Sequence, residues 1–305
     1  MKHRTLGWAI GLLAAAAPLG FVLWWLPTGC AQAPIDCRSA RGDFAARYTW
    51  VSGDPHCGGL TTGFVGLQSF YGADGTSQDY SRSSLAIQPD VLGYLLWTSQ
   101  GFGVVDEANK PYGLGNFAST EPSDNVCSVP ALSLAEQNII EIPAEGTGGG
   151  GGAGGGAQGG GGGAPVGAGG VGGGAGGAGE CPGPGPFPGQ PAMDIKFQWS
   201  NVRLLVTTAA PGTRFLADLA YPETIGAVSC SANYRVVGIW PPVDCGIYEF
   251  DECGNVASAT PDETVCHLDP STAPPGSVVI NPDFATSCDP SLLYCVPTTP
   301  VADLH

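Results

Sequence analysis

The sequence predicts a mainly β protein: an antiparallel barrel or sandwich that is interrupted by a disordered glycine-rich loop and followed by an irregular, disulfide-rich C-terminal tail. Three observations lead to this prediction. Apolar and polar residues alternate with period two in six stretches, a glycine tract separates the first three stretches from the last three, and ten cysteines lie on both sides of the tract. Period-two alternation is typical of half-buried antiparallel strands.

The chain begins with a charged segment and then an apolar one. Lys2 and Arg4 precede the uncharged stretch Leu6–Leu26, which is the order found in secretory signals. The stretch also approaches the length of about 20 residues that a membrane-spanning helix needs. We predict that residues 1–29 are a signal peptide, with an uncleaved N-terminal membrane anchor as the alternative.

The apolar segment ends in Leu26-Pro27-Thr28-Gly29-Cys30. This motif resembles the lipobox of bacterial lipoproteins, although Pro27 stands where the family usually has leucine. The resemblance implies cleavage before Cys30, attachment of acyl chains at this residue, and a membrane tether formed by residues 30–36. Ala31, rather than an aspartate, after the cysteine implies the outer membrane of a bacterial cell envelope, on either its periplasmic or its surface face.

The composition is strongly acidic. The chain has 27 acidic and 11 basic residues, and its formal net charge is −16. Residues 1–29 hold two of the basic residues and none of the acidic ones, so removal of this segment gives −18. A charge of this size repels phosphate backbones. We therefore expect no nucleic acid among the partners of this protein.

Residues 37–145 are predicted to form the first half of the β domain. Three stretches in this half alternate apolar with polar residues, which indicates strands. A single segment, Leu132–Ile140, has a plausible short helical pattern. The apolar positions of the three stretches are Phe44, Ala46, Tyr48 and Trp50, then Val65, Leu67 and Tyr71, then Leu85 and Ile87.

Residues 146–180 are predicted to be a disordered insert. The stretch Gly146–Gly179 consists almost entirely of glycine and alanine, with 23 glycines and 6 alanines. Such a composition buries too little apolar surface to offset the entropy lost on ordering glycine. The Gly-x-Gly-x-x-Gly matches inside the tract follow from its composition, because no strand leads in and no helix follows.

Residues 181–245 are predicted to form the second half of the β domain, with three longer alternating runs. Three strands on each side of the tract are too few for a closed barrel or a sandwich, whereas six to eight together are enough. We therefore predict one domain interrupted by the tract, with two separate modules as the alternative. The apolar positions of the runs are Met193, Ile195, Phe197 and Trp199, then Phe215, Ala217, Leu219 and Tyr221, then Val228, Cys230, Ala232, Tyr234, Val236 and Trp240.

Residues 246–305 are rich in cysteine and proline and show little periodicity, so we predict an irregular tail held by disulfides. Apart from Cys30, three cysteines precede the tract and seven follow it, and complete pairing therefore needs at least one bridge across it. Proximity in the tail suggests the pairs Cys253–Cys266 and Cys288–Cys295. The disulfide candidates are Cys37, Cys57, Cys127, Cys181, Cys230, Cys245, Cys253, Cys266, Cys288 and Cys295.

No catalytic residue, metal site or cofactor is predicted. His56 and His267 each adjoin a cysteine, but adjacent ligands do not have zinc-finger spacing. An acidic segment offers oxygen ligands for Ca²⁺ but lacks an EF-hand loop, which favours a solvated acidic surface. Its carboxylates belong to Glu249, Asp251, Glu252, Asp262 and Glu263.

Three tryptophans, Trp50, Trp199 and Trp240, fall on the apolar side of strand patterns. Core packing is the first interpretation. If the interior of a barrel is partly open, the same three side chains line a pocket for a small apolar ligand, since barrel mouths often hold such ligands.

Taken together, the lipobox-like motif, the glycine tract and the cysteine-rich β body resemble uncharacterised outer-membrane lipoproteins of bacteria. This resemblance implies an envelope location and no particular activity. We predict a non-enzymatic envelope lipoprotein that attaches to the membrane through Cys30 and presents a β domain to a small apolar ligand or an envelope protein. A structural or adhesive surface protein that uses the glycine tract is the alternative, and an envelope hydrolase is the second alternative.

Overall fold

A computed structural model describes residues 35–100, 109–141, 189–208 and 211–298. All of them belong to one compact unit, Ile35–His305. The predicted leader, Cys30, the whole glycine tract and Cys181 lie outside the described residues. Within the part of the chain that the structure describes, no helix is both long and apolar enough to cross a membrane.

The fold-class prediction is confirmed, because the described chain is mainly β and one antiparallel sheet of nine strands dominates it. A single α-helix, α1, spans Asp90–Gln100 in the described ranges, and a short 3-10 helix spans Glu263–His267. The strands of the sheet are β1 (Gly42–Gly53), β2 (Thr62–Asp74), β3 (Ser77–Pro89), β4 (Gly113–Asn116), β5 (Val126–Ala131), β6 (Ala135–Ile139), β7 (Met193–Val206), β8 (Pro211–Ile225) and β9 (Val228–Ile239). The tail adds the hairpins β10 (Gly246–Phe250) with β11 (Val256–Pro261), and β12 (Thr286–Cys288) with β13 (Cys295–Pro297).

The sheet contains strands from both sides of the glycine tract. Its order is β4-β3-β2-β1-β9-β8-β7-β5, with β6 also paired to β7. Strand β1 lies between β2 and β9, with Ala45 opposite both Phe64 and Ile239. Strand β6 lies beside β7 with Ile139 opposite Met193, so the segment that contains the glycine tract connects two adjacent, paired strands.

The two end strands of the sheet approach each other and nearly close it into a barrel. Ser133 donates its backbone N–H to the carbonyl of Leu114 at 2.8 Å, and Ala118 donates to the carbonyl of Ser128 at 2.8 Å. Gly115 permits this approach, since a Cβ there would lie 2.4 Å from the Ala131 carbonyl oxygen. These contacts give polar partners to strand edges that would otherwise remain open.

The interior of the barrel is filled with side chains rather than open. Most apolar positions of the alternating runs are buried there, and Phe44, Trp199 and Phe215 are fully buried. Helix α1 adds Leu92 and Leu95 to the same core. Packing is tight at Gly238, where a Cβ would lie 2.1 Å from a ring carbon of Phe215.

The C-terminal tail packs against the outer face of β1, β9 and β8. Ile239 faces outward on β9 but is buried in the core of the tail, and Arg47 of β1 donates from Nε to the carbonyl of Pro297. The guanidinium of Arg214 on β8 lies 5.2 Å from the ring centroid of Phe284, a cation–π distance. The tail is therefore irregular in structure, as predicted, and is also docked on the barrel.

Four disulfides are described in full. They join Cys37 to Cys127, Cys57 to Cys230, Cys245 to Cys288, and Cys266 to Cys295, and Cys253 is also disulfide-bonded. The Cys57–Cys230 bond connects the two sides of the glycine tract.

The tail pairs guessed from proximity, Cys253–Cys266 and Cys288–Cys295, are wrong. Cys288 and Cys295 do stand opposite each other on β12 and β13. Their sulfurs are instead bonded to Cys245 and Cys266, which are buried in the same small core. Neighbours in the sequence are therefore not the bonded neighbours in this core.

The helix expected over Leu132–Ile140 is also wrong. Residues 135–139 form β6, in which buried and half-buried residues alternate. Pairing with β7 outweighs the helical propensity of alanine and glutamate here, as tertiary contacts commonly do. The helix that does form, α1, begins directly after Pro89.

Candidate functional site

A groove lies on the outer face of β1–β4. Its volume is about 490 Å³, within the range of roughly 300–1,000 Å³ that is usual for small-molecule sites. Gly42, Gly66 and Ala86 contribute almost no side-chain volume to it, while the larger residues of these strands, such as Leu85, point into the barrel. Gly66 and Ala86 lie at outward positions of β2 and β3, so the floor of the groove is low between these two strands.

Polar side chains surround this groove. Arg41 and Asp43 flank Gly42 at the start of β1, while Gln68 and Gln88 lie on β2 and β3. The carboxylate of Asp43 lies over the floor, since a Cβ on Gly66 would be 3.4 Å from its Oδ1. Together these groups provide both donors and acceptors, and their formal charges cancel.

Aromatic and aliphatic groups complete the lining. Phe70 is 45% exposed and Leu114 is 44% exposed, and Tyr112 lies just before β4. An aromatic face beside amide and carboxylate groups can contact the apolar face of a ligand while polar groups bind its hydroxyls. This combination can bind a small amphipathic molecule in one orientation.

A second cleft, of about 350 Å³, lies beside the start of α1 and reaches Tyr48 and Phe197. Burial raises the pKa of Asp90 in this cleft above its usual range, and the nearby charge of Asp43 raises it further. Burial also raises the pKa of Tyr48, and repulsion from Asp90 adds to the effect. The phenol therefore stays protonated at physiological pH.

The three tryptophans predicted to line an apolar pocket do not lie in either cleft. Trp199 is fully buried in the barrel core, and Trp240 packs against that core. Trp50 continues the inward face of β1 beyond the core and is 47% exposed. Among the residues that the structure describes, these three side chains therefore do not line a common pocket.

The acidic residues of the tail hold local turns rather than converging on one point. Asp251 accepts hydrogen bonds from the backbone N–H groups of Cys253 and Asn255, and these bonds help to lower its pKa. Asp262 caps the 3-10 helix by accepting from the Thr264 N–H. Glu249 and Glu263 likewise accept from groups within the tail, the hydroxyl of Ser258 and the N–H of Cys288.

The histidines make local contacts of the same kind. His56 donates its backbone N–H to Asp54, and the ring of His267 lies 3.2 Å from Glu263, with both side chains more than half exposed.

Two groups of sulfur and carboxylate atoms are close enough to hold a metal ion in principle. One consists of Cys245, Cys266 and Cys288, and the other contains Cys57, Cys230 and the carboxylate of Glu223. All five cysteines are in disulfides. Metal ligation by cysteine requires the thiolate, so these groups act as structural cross-links in the oxidised protein.

The fold and groove define a class: a disulfide-rich antiparallel barrel with a mixed polar and aromatic groove on its outer face. The chain belongs to the MlpA family, whose sequence model matches residues 42–241, the region from β1 to the end of the barrel. It is 32% identical over 111 residues to a Myxococcus xanthus protein named "Putative lipoprotein MlpA". That match covers 35% of this chain and 38% of the relative. No solved structure matches the chain at a significant level.

The groove residues were not selected from the sequence. One signal was present, because Gly66 and Ala86 occupy outward positions where strands usually carry larger polar side chains. Using that signal requires the register of β2 against β3, which brings Gly66 opposite Gln88.

Proposed function

We propose that this protein is a non-enzymatic lipoprotein of the bacterial outer membrane, acylated at Cys30, whose barrel binds a small, neutral, hydroxyl-rich ligand such as an oligosaccharide in the outer groove. The family and the name of the relative support the lipoprotein part. The lipobox-like motif supports attachment through Cys30, which lies outside the described residues. The lining of the groove is the observation that carries the ligand proposal.

The chemistry of the groove favours a neutral polar ligand over an ion or a lipid tail. Arg41 and Asp43 compensate each other, so neither an anion nor a cation meets an excess of opposite charge. The amides of Gln68 and Gln88 each offer a donor and an acceptor, which suits hydroxyl groups that both donate and accept. The apolar ligand expected inside the barrel is no longer favoured, because the interior is filled.

Binding can be tested with chito-, malto- and cello-oligosaccharides in calorimetric titrations. We expect one of these series to bind, and the double variant Gln68→Leu/Gln88→Leu to weaken that binding about tenfold or more, since each lost hydrogen bond costs about 0.5–1.5 kcal/mol. Gln78→Leu makes the same change at an exposed position of β3 outside the groove and should leave affinity unchanged. Equal affinity in the natural chain, the double variant and the Gln78→Leu control would mean that the ligand binds outside the groove.

Attachment can be tested separately on protein expressed in a Gram-negative host. We expect the intact mass to show the chain from Cys30 onward with acyl chains added, and the protein to sediment with outer membranes. Cys30→Ala should abolish acylation. An unmodified Cys30 with residues 1–29 retained would instead establish an uncleaved anchor.

A further inference from the structure

The first described residues are fixed at one end of the barrel. Cys37 is bonded to Cys127 at the start of β5. Ala40 donates its N–H to the carbonyl of Gly212 at the start of β8, at 2.8 Å. Ser39 donates its N–H to the hydroxyl of Ser69 at 2.8 Å. We call this the N-terminal end of the barrel. Three independent contacts hold residues 37–40 there.

The opposite end, which we call the hairpin end, carries the β8–β9 turn and both roots of the glycine tract. Ile225 is opposite Val228 across that turn, and Met193 is opposite both Ile225 and Ile139. Strand β8 runs the full length with 15 residues. At about 3.3 Å per residue and a tilt near 40°, the two ends lie roughly 35 Å apart.

We infer that the barrel stands with its N-terminal end on the membrane and carries the hairpin end, with the roots of the glycine tract, away from it. This inference rests on acylation of Cys30, as proposed above. Seven residue steps separate Cys30 from Cys37, so the N-terminal end lies within about 25 Å of the acyl chains even if those residues are fully extended. That reach is shorter than the barrel.

The orientation determines what each part of the molecule can contact. The groove begins at Arg41 and therefore opens close to the membrane surface. Two exposed apolar residues of the hairpin end, Ile225 and Val228, face away from it, with Val228 71% exposed. A partner that contacts the β8–β9 turn therefore approaches from the side opposite the lipid.

The test compares two matched turn positions. Thr76 follows Gly75 in the β2–β3 turn, and Ala227 follows Gly226 in the β8–β9 turn. Both residues are exposed, and the two glycines have φ of 59° and 57°. The β2–β3 turn belongs to the N-terminal end, because β2 continues well beyond Leu67, the partner of Gly42. A fluorophore attached through an azido amino acid at either position avoids adding a thiol.

The acylated protein is placed in phosphatidylcholine vesicles that contain phosphatidylglycerol and an acceptor dye on some headgroups. We expect energy transfer from position 76 to be several-fold more efficient than from position 227. Equal or reversed efficiencies on protein whose mass shows acyl chains would overturn the orientation alone. A mass without acyl chains would overturn the proposed attachment and the orientation with it.

Discussion

Removing the glycine tract is the sharpest test of how the barrel is built. The connection between β6 and β7 runs from position 140 to position 192, although Ile139 and Met193 are opposite partners on adjacent strands. Deleting Gly146–Gly179 shortens this connection to roughly a third of its length. Since loop-closure entropy scales as 1.5RT times the logarithm of the length, the shorter loop should stabilise the protein by about 0.9 kcal/mol.

A gain of that size corresponds to a rise in Tm of about 2–4 °C for a body of this size. We would measure urea unfolding by intrinsic tryptophan fluorescence, without reductant, in the otherwise unchanged chain. A control that replaces the deleted stretch by a shuffled sequence of equal length and composition should match the natural chain. A loss of more than about 2 kcal/mol, which is the size of a substantial packing defect, or a transition that is no longer cooperative, would show that the tract contributes packing contacts and would refute the hairpin-loop reasoning.

The same deletion separates the functional alternatives. Binding in the outer groove should survive it, because residues of β1–β4 and their flanks line the groove, whereas the tract connects β6 to β7. Surface adhesion, if the protein has it through the tract, should disappear. Adhesion of cells that display the two forms is the measurement.

Three further changes follow from the packing, the cross-links and the charges. The methyl group of Gly238→Ala would clash with the ring of Phe215, so this variant should lower the free energy of unfolding by about 2 kcal/mol or more. Gly63→Ala is the control and should be tolerated, because the nearest atom to its added methyl group is at 3.7 Å. Equal urea midpoints for the two variants would contradict this prediction. Replacing both Cys57 and Cys230 by serine should cost about 3–5 kcal/mol in thermal or urea unfolding, and an unchanged midpoint would mean that this bond does not constrain the unfolded chain. Burial raises the pKa of Asp90 in the folded state, so ionisation of this carboxyl opposes folding as pH rises. At pH 7 the Asp90→Asn variant should therefore be more stable than the natural chain, and the difference should vanish below about pH 3.9, where the carboxyl is protonated in both states. A difference that persists in acid would show that the gain has another cause.

The strands could be predicted where one face of the sheet is buried and the other is solvated. In β7 the apolar run Ile195, Phe197 and Trp199 points into the core, and Lys196 and Gln198 do not. Alternation does not identify a strand when both of its faces are covered, or when its residues have a high intrinsic propensity for helix. Residues of β6 such as Glu136 favour a helix in isolation, and only the partner strand β7 makes them extended.

The candidate site depends on information that a single sequence does not contain. The groove requires Gly42, Gly66 and Ala86 to be brought together by the registers of β1 with β2 and of β2 with β3. A shift of one residue would turn the side chains to the other face. The disulfide pairing has the same origin, since Cys245 and Cys288 meet only after the tail has folded on itself.

The position of β1 in the sheet limits the order in which its strands can pair. This strand pairs with β2 on one side, but its other partner is β9, which comes last among the strands of the sheet. During synthesis from the N-terminus, β1 therefore keeps an open edge until Val228–Ile239 has emerged. Pairing over such a distance is slow. The barrel should thus be completed only after almost its whole sequence has been synthesised.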